Sequence, residues 1–296
     1  MDHVDVGVVI VNWNTRDLLQ RCLESVLSNT DVSFEVCVVD NDSSDGSADM
    51  VASVFPHVKL IRNDRNVGYP AANNQGLRYL GFGTQGRSAG VRYALLLNPD
   101  TELPADALAK VIDFADEHPE SGVVGPKLVL QDGSLDLACR RSFPTPAISF
   151  YRITGLARLF PRSRRFGRYN LTYLDENETA EVDAVVGAFM LVRREAIEES
   201  GLLDESFFMY GEDLDWAYRM KAAGWRVYYY PEVEVLHIKR ASSRQNPRAR
   251  LEFWRAMDIF YRKHYAEQTP FVVHALIVAV LRLQTRLIRW RMALQA

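Results

Sequence analysis

Cysteine is scarce in this sequence, with three among 296 residues, at Cys22, Cys37 and Cys139. Their number and irregular spacing exclude a disulfide framework or a cysteine-rich zinc site and suit a reducing cytosol. The N-terminal segment MDHVDVGVVIVNWN lacks a basic stretch followed by a long apolar run and a cleavage site. It therefore predicts the first strand of the fold rather than a signal peptide, and a cytoplasmic protein.

A strong overall charge is also lacking, since the formal net charge is -3. The charge is unevenly distributed, however. From residue 239 onward there are 12 Lys and Arg against 3 acidic residues, so this tail carries +9 and the remainder -12. A basic tail on an acidic body indicates an anionic surface as a partner, and we expect no nucleic acid among the partners.

Short apolar runs alternate with helical patterns along the first half of the chain. The runs lie at 6–14, 34–42, 58–64, 92–100 and 122–130, and between them apolar residues recur at helical spacing. Strands without polar alternation, separated by helices, predict an α/β fold whose central sheet is mostly parallel and flanked by helices.

Polar side chains follow four of the predicted strands. The clusters are Asn12-Trp13-Asn14, Asp40-Asn41-Asp42, Asn63-Asp64 and Asn98-Pro99-Asp100. Each alone is more often a turn or a helix cap. Because ligands bind beyond the carboxyl ends of parallel strands, the four together favour a binding edge.

Six segments, in order, resemble those of family 2 glycosyltransferases, most closely a rhamnosyltransferase-like bacterial branch. They are VVIVNWNTRDLLQRCLESVLS, VCVVDNDSSDGS, IRNDRNVGYPAANNQGL, LLLNPDTEL, GAFMLVRREAIEESGLLDESFFMYGEDLDWAYRMKAAGW and VEVLHIKRAS. The resemblance covers about residues 4–245 and implies a GT-A domain over 1–245, with a donor half to about 130 and an acceptor half beyond it. It also implies a nucleotide-sugar donor, a divalent metal and inversion at the anomeric carbon. Residues 246–296 would form a basic, amphipathic helical extension.

The segment Asn98-Pro99-Asp100 stands where the family usually has Asp-x-Asp. A nucleotide sugar leaves as a diphosphate, and a metal bridging its oxygens stabilises the developing charge. Carboxylate oxygens suit Mg²⁺ or Mn²⁺. We therefore expect Asp100 to be a metal ligand, while Asn98 supplies no charge and is expected only to contact the donor.

The segment His237-Ile238-Lys239-Arg240 ends a β-rich stretch. A histidine at a strand end is more often structural. In the family a histidine here can complete the metal site, so the resemblance implies His237 as second metal ligand, and Lys239 and Arg240 as contacts to the diphosphate.

The resemblance assigns the earlier strand ends to the donor. Asp40 would accept a hydrogen bond from the pyrimidine ring, alongside the neighbouring polar residues Asn12, Asn14 and Asp42. The alternative is that Asp42, Ser43 and Ser44 cap a helix from about Ser47 to Val54. Gly68 would form a turn and Asn73 would face the donor, although a turn before a helix explains Gly68 equally well.

The segment Glu212-Asp213-Leu214-Asp215 carries the candidate bases. Direct displacement requires a group that takes the proton of the acceptor hydroxyl. At about 100° per residue Asp213 shares a helical stripe with apolar residues, and its place in the first turn favours the ionised form. We predict Asp213 as base and Glu212 as second choice, either as base or as an orienting group; the alternative is a stabilising acidic first turn.

The tail contains an apolar stretch of about eleven residues, 271–281, shorter than the roughly 20 needed to span a bilayer. Arg282, Arg286 and Arg289 follow at helical spacing, which favours a helix lying on an anionic membrane. The alternative is packing on the body of the protein or on a second subunit of a homo-oligomer. A second basic stretch, 151–169, is interpreted as a loop over the acceptor site or a linker.

The sequence therefore predicts an inverting glycosyltransferase. It would transfer a sugar, with rhamnose favoured, from a dTDP- or UDP-sugar to a hydroxyl of a cell-envelope glycan or polyprenyl-diphosphate-linked precursor, peripherally on the inner face of the membrane. Two alternatives are an inactive nucleotide- or carbohydrate-binding protein and a sugar nucleotidyltransferase. The latter would need glycines after the first strand, which residues 14–17 lack.

Overall fold

A computed structural model describes residues 4–83, 90–239 and 247–294. The strands are β1 Val4–Asn12, β2 Phe34–Asp40, β3 Lys59–Arg62, β4 Val91–Leu97, β5 Thr101–Glu102, β6 Ser121–Val129, β7 Ala180–Val182, β8 Phe189–Arg193 and β9 Arg226–His237. The α-helices are α1 Arg16–Leu27, α2 Ser47–Val54, α3 Tyr69–Tyr79, α4 Ala107–Glu117, α5 Pro146–Ile153, α6 Leu156–Leu159, α7 Arg194–Ser200, α8 Glu212–Ala222, α9 Pro247–His264 and α10 Phe271–Ala293.

The strands form one sheet in the order β3-β2-β1-β4-β8-β6-β9-β5, with β7 beside β9. The first four strands are parallel, as predicted. β8 is antiparallel to both β4 and β6, so the sheet is mixed rather than mostly parallel beyond β4. The α/β class is confirmed. Covering both faces buries strand residues completely, among them Val8, Val9 and Ile10 in β1.

Strand register brings the polar strand ends to one edge. Asn12 lies opposite Asp40, and Ile10 lies opposite Leu97, one residue before Asn98. Three residues beyond Asn98 the short β5 begins and pairs with the end of β9, which sets Thr101 opposite His237. This pairing places Asp100 and His237 side by side although they are far apart in the chain.

The C-terminal extension packs on the domain. Phe260 of α9 is fully buried and contacts Phe143 and Tyr218, and α10 packs on α9 in turn. Packing on the body of the protein, one of the two alternatives for the tail, is therefore observed for one face of the extension. The predicted boundary at residue 245 lies outside the described residues.

The helix α10 runs for 23 residues, beyond the eleven apolar residues counted from the sequence. By length and composition alone it is long and apolar enough to cross a membrane. The expectation that it is too short was wrong, because the helix continues through its arginines without a break.

Candidate active site

Asp100 and His237 meet at the carboxyl edge of the sheet. Asp100 Oδ1 lies 3.4 Å from His237 Nε2. On the other side of the ring, His237 Nδ1 lies 2.8 Å from Asp136 Oδ2. Lys239 Nζ donates to the same carboxylate over 3.0 Å. Asp136 therefore fixes the ring so that Nε2 points at Asp100.

These contacts set the charges at this edge. Burial favours a neutral His237, but the hydrogen bonds with Asp100 and Asp136 outweigh it and raise the pKa of His237 to about 9. Burial opposes ionisation of Asp136, yet its bonds with His237 and Lys239 hold its pKa well below the usual range. Asp136 is thus a fixed negative charge behind the imidazole.

The donor set fits a metal that shares its coordination with a ligand. Neighbouring ligands of a Mg²⁺-sized ion lie roughly 3 Å apart, close to the separation of Asp100 Oδ1 and His237 Nε2. Metal-bound histidines commonly donate their other nitrogen to a carboxylate, the role that Asp136 is placed to take. Among the described residues no group of three or more His, Cys, Asp or Glu could hold a metal. Two protein ligands leave positions for the oxygens of a diphosphate.

Tyr69 connects this edge to the acidic helix. Its hydroxyl lies 3.1 Å from Asn98 Oδ1 and 2.9 Å from the carbonyl oxygen of Gly187. Burial, followed by the charges of Glu212 and Asp213, raises the pKa of Tyr69 and keeps the hydroxyl a donor. Asn98 thus accepts from Tyr69, and its side chain is half-buried beside the Asp100 site.

Asp213 is buried and held by three donors. Arg141 Nη2 donates to Asp213 Oδ2 over 2.6 Å, and the Gly187 amide donates to the same oxygen over 3.1 Å. The Leu214 amide donates to Oδ1 over 2.7 Å. The arginine neutralises the carboxylate charge in a buried setting, while Oδ1 keeps one lone pair for a further donor.

Glu212 is also buried, but its Oε2 has no hydrogen-bond partner. Burial, reinforced by the neighbouring charge of Asp213, raises the pKa of Glu212 well above its usual range. The two adjacent carboxyls thus have different environments: that of Asp213 lies beside an arginine, and that of Glu212 has one oxygen, Oε2, without a hydrogen-bond partner. Their assignment as catalytic groups stays a prediction.

Asp215 points away from this site, toward α9. It is fully buried and is bonded by Arg219, Lys263 and His264. It therefore joins α8 to α9.

The strand ends of β1 and β2 form a hydrogen-bonded network. Asn12 Nδ2 donates to Asp40 Oδ2 over 3.0 Å, and the Ser43 amide donates to Asp40 Oδ1 over 3.0 Å. Asn14 Oδ1 accepts from the Ser44 amide over 2.8 Å. The register brings Asn12, Asn14 and Asp40 together, as the binding-edge prediction required.

Asp42 is exposed and adopts a left-handed backbone conformation, with φ of 67°. The helix α2 begins where predicted, but its first amide, that of Ser47, donates to Asp45 Oδ1 over 3.1 Å. The capping alternative for Asp42, Ser43 and Ser44 was therefore wrong.

Gly68 has φ of 91°, and a side chain there would come within 2.7 Å of the Phe208 carbonyl oxygen. The turn is confirmed, and this close approach explains the glycine. Asn73 is completely buried: its Nδ2 donates to the Tyr69 carbonyl and its Oδ1 has no partner. The structure therefore places Asn73 beneath the site surface rather than facing outward. Arg240 lies outside the described residues.

Sequence reasoning missed three residues: Asp136, Arg141 and Tyr69. Tyr69 lies in the segment singled out for the donor, directly after Gly68, so proximity to Gly68 was its only signal. Asp136 and Arg141 flank a loop after β6 that carries no recognisable pattern, and only the fold brings them to His237 and Asp213.

Known proteins resemble this chain in sequence and in fold. The model for Glycosyl transferase family 2 matches residues 7–201. An N-acetylglucosaminyl-diphospho-decaprenol L-rhamnosyltransferase from Mycobacterium tuberculosis is 30% identical over 246 residues, which cover 82% of this chain and 79% of that protein. The rhamnosyltransferase WbbL from Escherichia coli is 23% identical, over 81% of this chain and 85% of that protein.

Among solved structures, GalNAc-T7 with UDP, GalNAc and Mn²⁺ superimposes with a TM-score of 0.57 at 18% identity. The match covers 90% of this chain but 52% of that longer chain. This likeness supports the GT-A fold. The family match over most of the chain favours glycosyl transfer over the two alternatives, a nucleotidyltransferase and an inactive binding protein. The chain belongs to glycosyl transferase family 2 and is a glycosyltransferase.

Proposed function

We propose that this enzyme transfers rhamnose, with inversion, from a dTDP- or UDP-sugar to a hydroxyl of a polyprenyl-diphosphate-linked glycan precursor at the inner face of the cell membrane. One observation carries the proposal: Tyr69 donates to Asn98, two residues before Asp100, and to Gly187, whose amide donates to Asp213, so hydrogen bonds connect the Asp100–His237 edge with the acidic start of α8. The names of the two bacterial relatives support rhamnose, and the name of the mycobacterial one supports a lipid-linked acceptor.

Asp100 and His237 would hold Mg²⁺ or Mn²⁺, oriented by Asp136. When bound, the ion supplies positive charge to the leaving diphosphate. Asn98 contributes an amide in place of the usual first carboxylate. Lys239, exposed at the same edge, would contact the diphosphate.

Asp213 would act as the base. The acceptor hydroxyl oxygen forms a bond to the anomeric carbon as the bond from that carbon to the diphosphate oxygen breaks, and the hydroxyl proton passes to Asp213. Arg141 holds the Asp213 carboxylate in place through its ion pair with Oδ2. Glu212, whose raised pKa keeps it protonated near neutral pH, would instead donate a hydrogen bond to the acceptor.

Asp40 would receive the ring N–H of the pyrimidine. Its carboxylate is held in place by Asn12 and the Ser43 amide, so the base would meet a fixed acceptor. Asn14 and Asp42 border this position.

Calorimetry with UDP and dTDP, each with and without Mn²⁺, tests the donor site. We expect tight binding of the wild-type chain only with Mn²⁺, and no tight binding of Asp100→Ala either with or without Mn²⁺. Asp106→Ala removes an exposed carboxylate paired with Lys110 and is the matched control. Metal-independent binding that survives Asp100→Ala would contradict the site. A panel of nucleotide sugars then identifies the donor.

A further inference from the structure

The helix α10 carries an exposed apolar stripe. Its members, Val272, Leu276, Val280, Leu283, Leu287 and Trp290, recur at helical spacing and are between 39% and 68% exposed. The opposite face contains the buried Leu281 and Ile288 and packs toward α9. The helix therefore has two apolar faces, one packed on the protein and one exposed to solvent.

Arginines border this stripe. At about 100° per residue, Arg282, Arg286 and Arg289 lie along one edge and Arg291 lies along the other. The helix contains no acidic residue, and none of its four arginines forms an ion pair with the described residues. An apolar face bordered by unpaired cations matches the acyl chains and anionic headgroups of a lipid surface.

A second apolar and basic surface lies on α5 and α6. Phe150, Ile153 and Leu159 are more than half exposed there. Arg152 stacks over the ring of Phe253, which joins this surface to α9. Between the α5 region and Tyr265, which precedes α10, lies a cavity of about 280 Å³ whose lining includes Arg165 and Arg168.

We propose that α10 and the α5–α6 surface together dock the enzyme on an anionic phospholipid bilayer, with α10 lying in the plane of the interface. The cavity beside α5, whose lining also includes Asp183, would admit a lipid headgroup phosphate to Arg165 and Arg168. This inference rests on the proposed function, because a lipid-linked acceptor lies in the same bilayer on which the enzyme would dock.

Two other occupants fit less well. A spanning helix would have to leave α9, to which it is tied by the bond between Tyr261 Oη and His274 Nδ1 over 2.9 Å, and would place arginines within the bilayer core. A second copy in a two-fold dimer would bring like-charged arginines together across a shared stripe. A bilayer satisfies both the apolar and the cationic groups.

Flotation of the full chain with lipid vesicles tests this proposal. One set of vesicles is pure phosphatidylcholine, and the other contains about 30 mol% of the anionic lipid phosphatidylglycerol. We expect binding to the anionic vesicles only, weakened by added salt. The double variant Leu283→Glu, Leu287→Glu should lower the partition coefficient of the chain into anionic vesicles by at least about 10-fold. The triple variant Arg282→Gln, Arg286→Gln, Arg289→Gln should do the same. Val54→Glu, an exposed apolar position on α2, is the matched control.

Nucleotide binding in the same variants separates this inference from the proposed function. Variants that still bind UDP or dTDP but no longer float with the vesicles support the membrane surface. If the unaltered chain floats with the vesicles but does not bind UDP or dTDP, only the proposed donor site is contradicted. Unchanged flotation of the glutamate variant would overturn the proposal. So would resistance of the membrane-bound chain to alkaline carbonate, which indicates a spanning helix. A concentration-dependent dimer that the glutamate variant abolishes, without vesicle binding, would overturn it as well.

Discussion

The carboxylate of Asp136 contacts both His237 and Lys239: Oδ2 lies 2.8 Å from His237 Nδ1, and Oδ1 lies 3.0 Å from Lys239 Nζ. The ring nitrogen that remains, Nε2, faces Asp100. One buried acid therefore decides the orientation of the proposed second metal ligand and anchors the lysine next to it.

Asp136→Asn should weaken Mn²⁺ binding by about 10- to 100-fold, because loss of a carboxylate behind a histidine ligand lowers metal affinity by that order. Titration of the Mn²⁺ paramagnetic resonance signal in the presence of UDP measures the effect without relying on turnover. Asp132→Asn alters an exposed turn carboxylate nearby and should leave the affinity unchanged. Equal affinities in the two variants would show that His237 needs no support from Asp136.

Asp213→Asn should lower kcat by at least about 100-fold, the lower range for a lost general base. Glu212→Gln should retain activity near neutral pH, because glutamine imitates the protonated acid. As pH rises through the raised pKa of Glu212, the native enzyme gains a second negative charge beside Asp213 and should lose activity. The glutamine variant should lack this alkaline decline.

Profiles of kcat against pH for both variants and the native enzyme decide between the two carboxyls. If Glu212→Gln is as inactive as Asp213→Asn at every pH, then Glu212 is the base and the assignment must be reversed.

Glu212→Gln should also change the pH dependence of stability. Between the pKa of Glu212 in the unfolded chain and its raised pKa in the folded protein, the folded state keeps a proton that the unfolded state has released. The free energy of unfolding therefore falls as pH rises through that interval. Glutamine does not titrate. The stability gained on substitution should therefore be larger at pH 8 than at pH 5, by about 1–3 kcal/mol, a typical penalty for an unsatisfied buried group.

Urea unfolding at the two pH values measures this difference. Asp213 and Asp215 lie too close to Glu212 in α8 to serve as control positions. Glu205→Gln provides the comparison, because Glu205 is a partly exposed acid paired with Arg78. A stability difference that is the same at pH 5 and pH 8 would contradict a protonated Glu212.

The parts of the fold and site that were predictable are those that local patterns specify. Apolar runs identified β1, β2 and β4, and the parallel rule then placed Asn12, Asp40 and Asp100 at one edge. The antiparallel insertion of β8 beside β4 has no local signature, because it depends on a long connection. For the same reason the pairing of Asp136 with His237 and of Arg141 with Asp213 could not be read from spacing.

A buried ion cluster joins α9 to the catalytic domain. Asp215 is fully buried between Arg219 of its own helix and Lys263 and His264 of α9. Burial opposes its ionisation, but its bonds to His264, Lys263 and Arg219 lower the pKa of Asp215 to about 2. Asp215→Ala should therefore cost about 3–5 kcal/mol in the free energy of unfolding, as expected when one partner of a buried ion pair is removed.

Asp258→Ala is the matched control, since it removes an exposed carboxylate paired with Arg262 on the same helix α9 and should cost less than about 1 kcal/mol. Because the folded pKa of Asp215 lies below its unfolded value, its contribution is complete above about pH 4 and is lost as pH falls toward 2. The gap between the two variants in urea unfolding should accordingly be full at pH 7 and shrink in acid. Equal stabilities at pH 7 would mean that the buried ion pairs of Asp215 add no stability to the contact between α8 and α9.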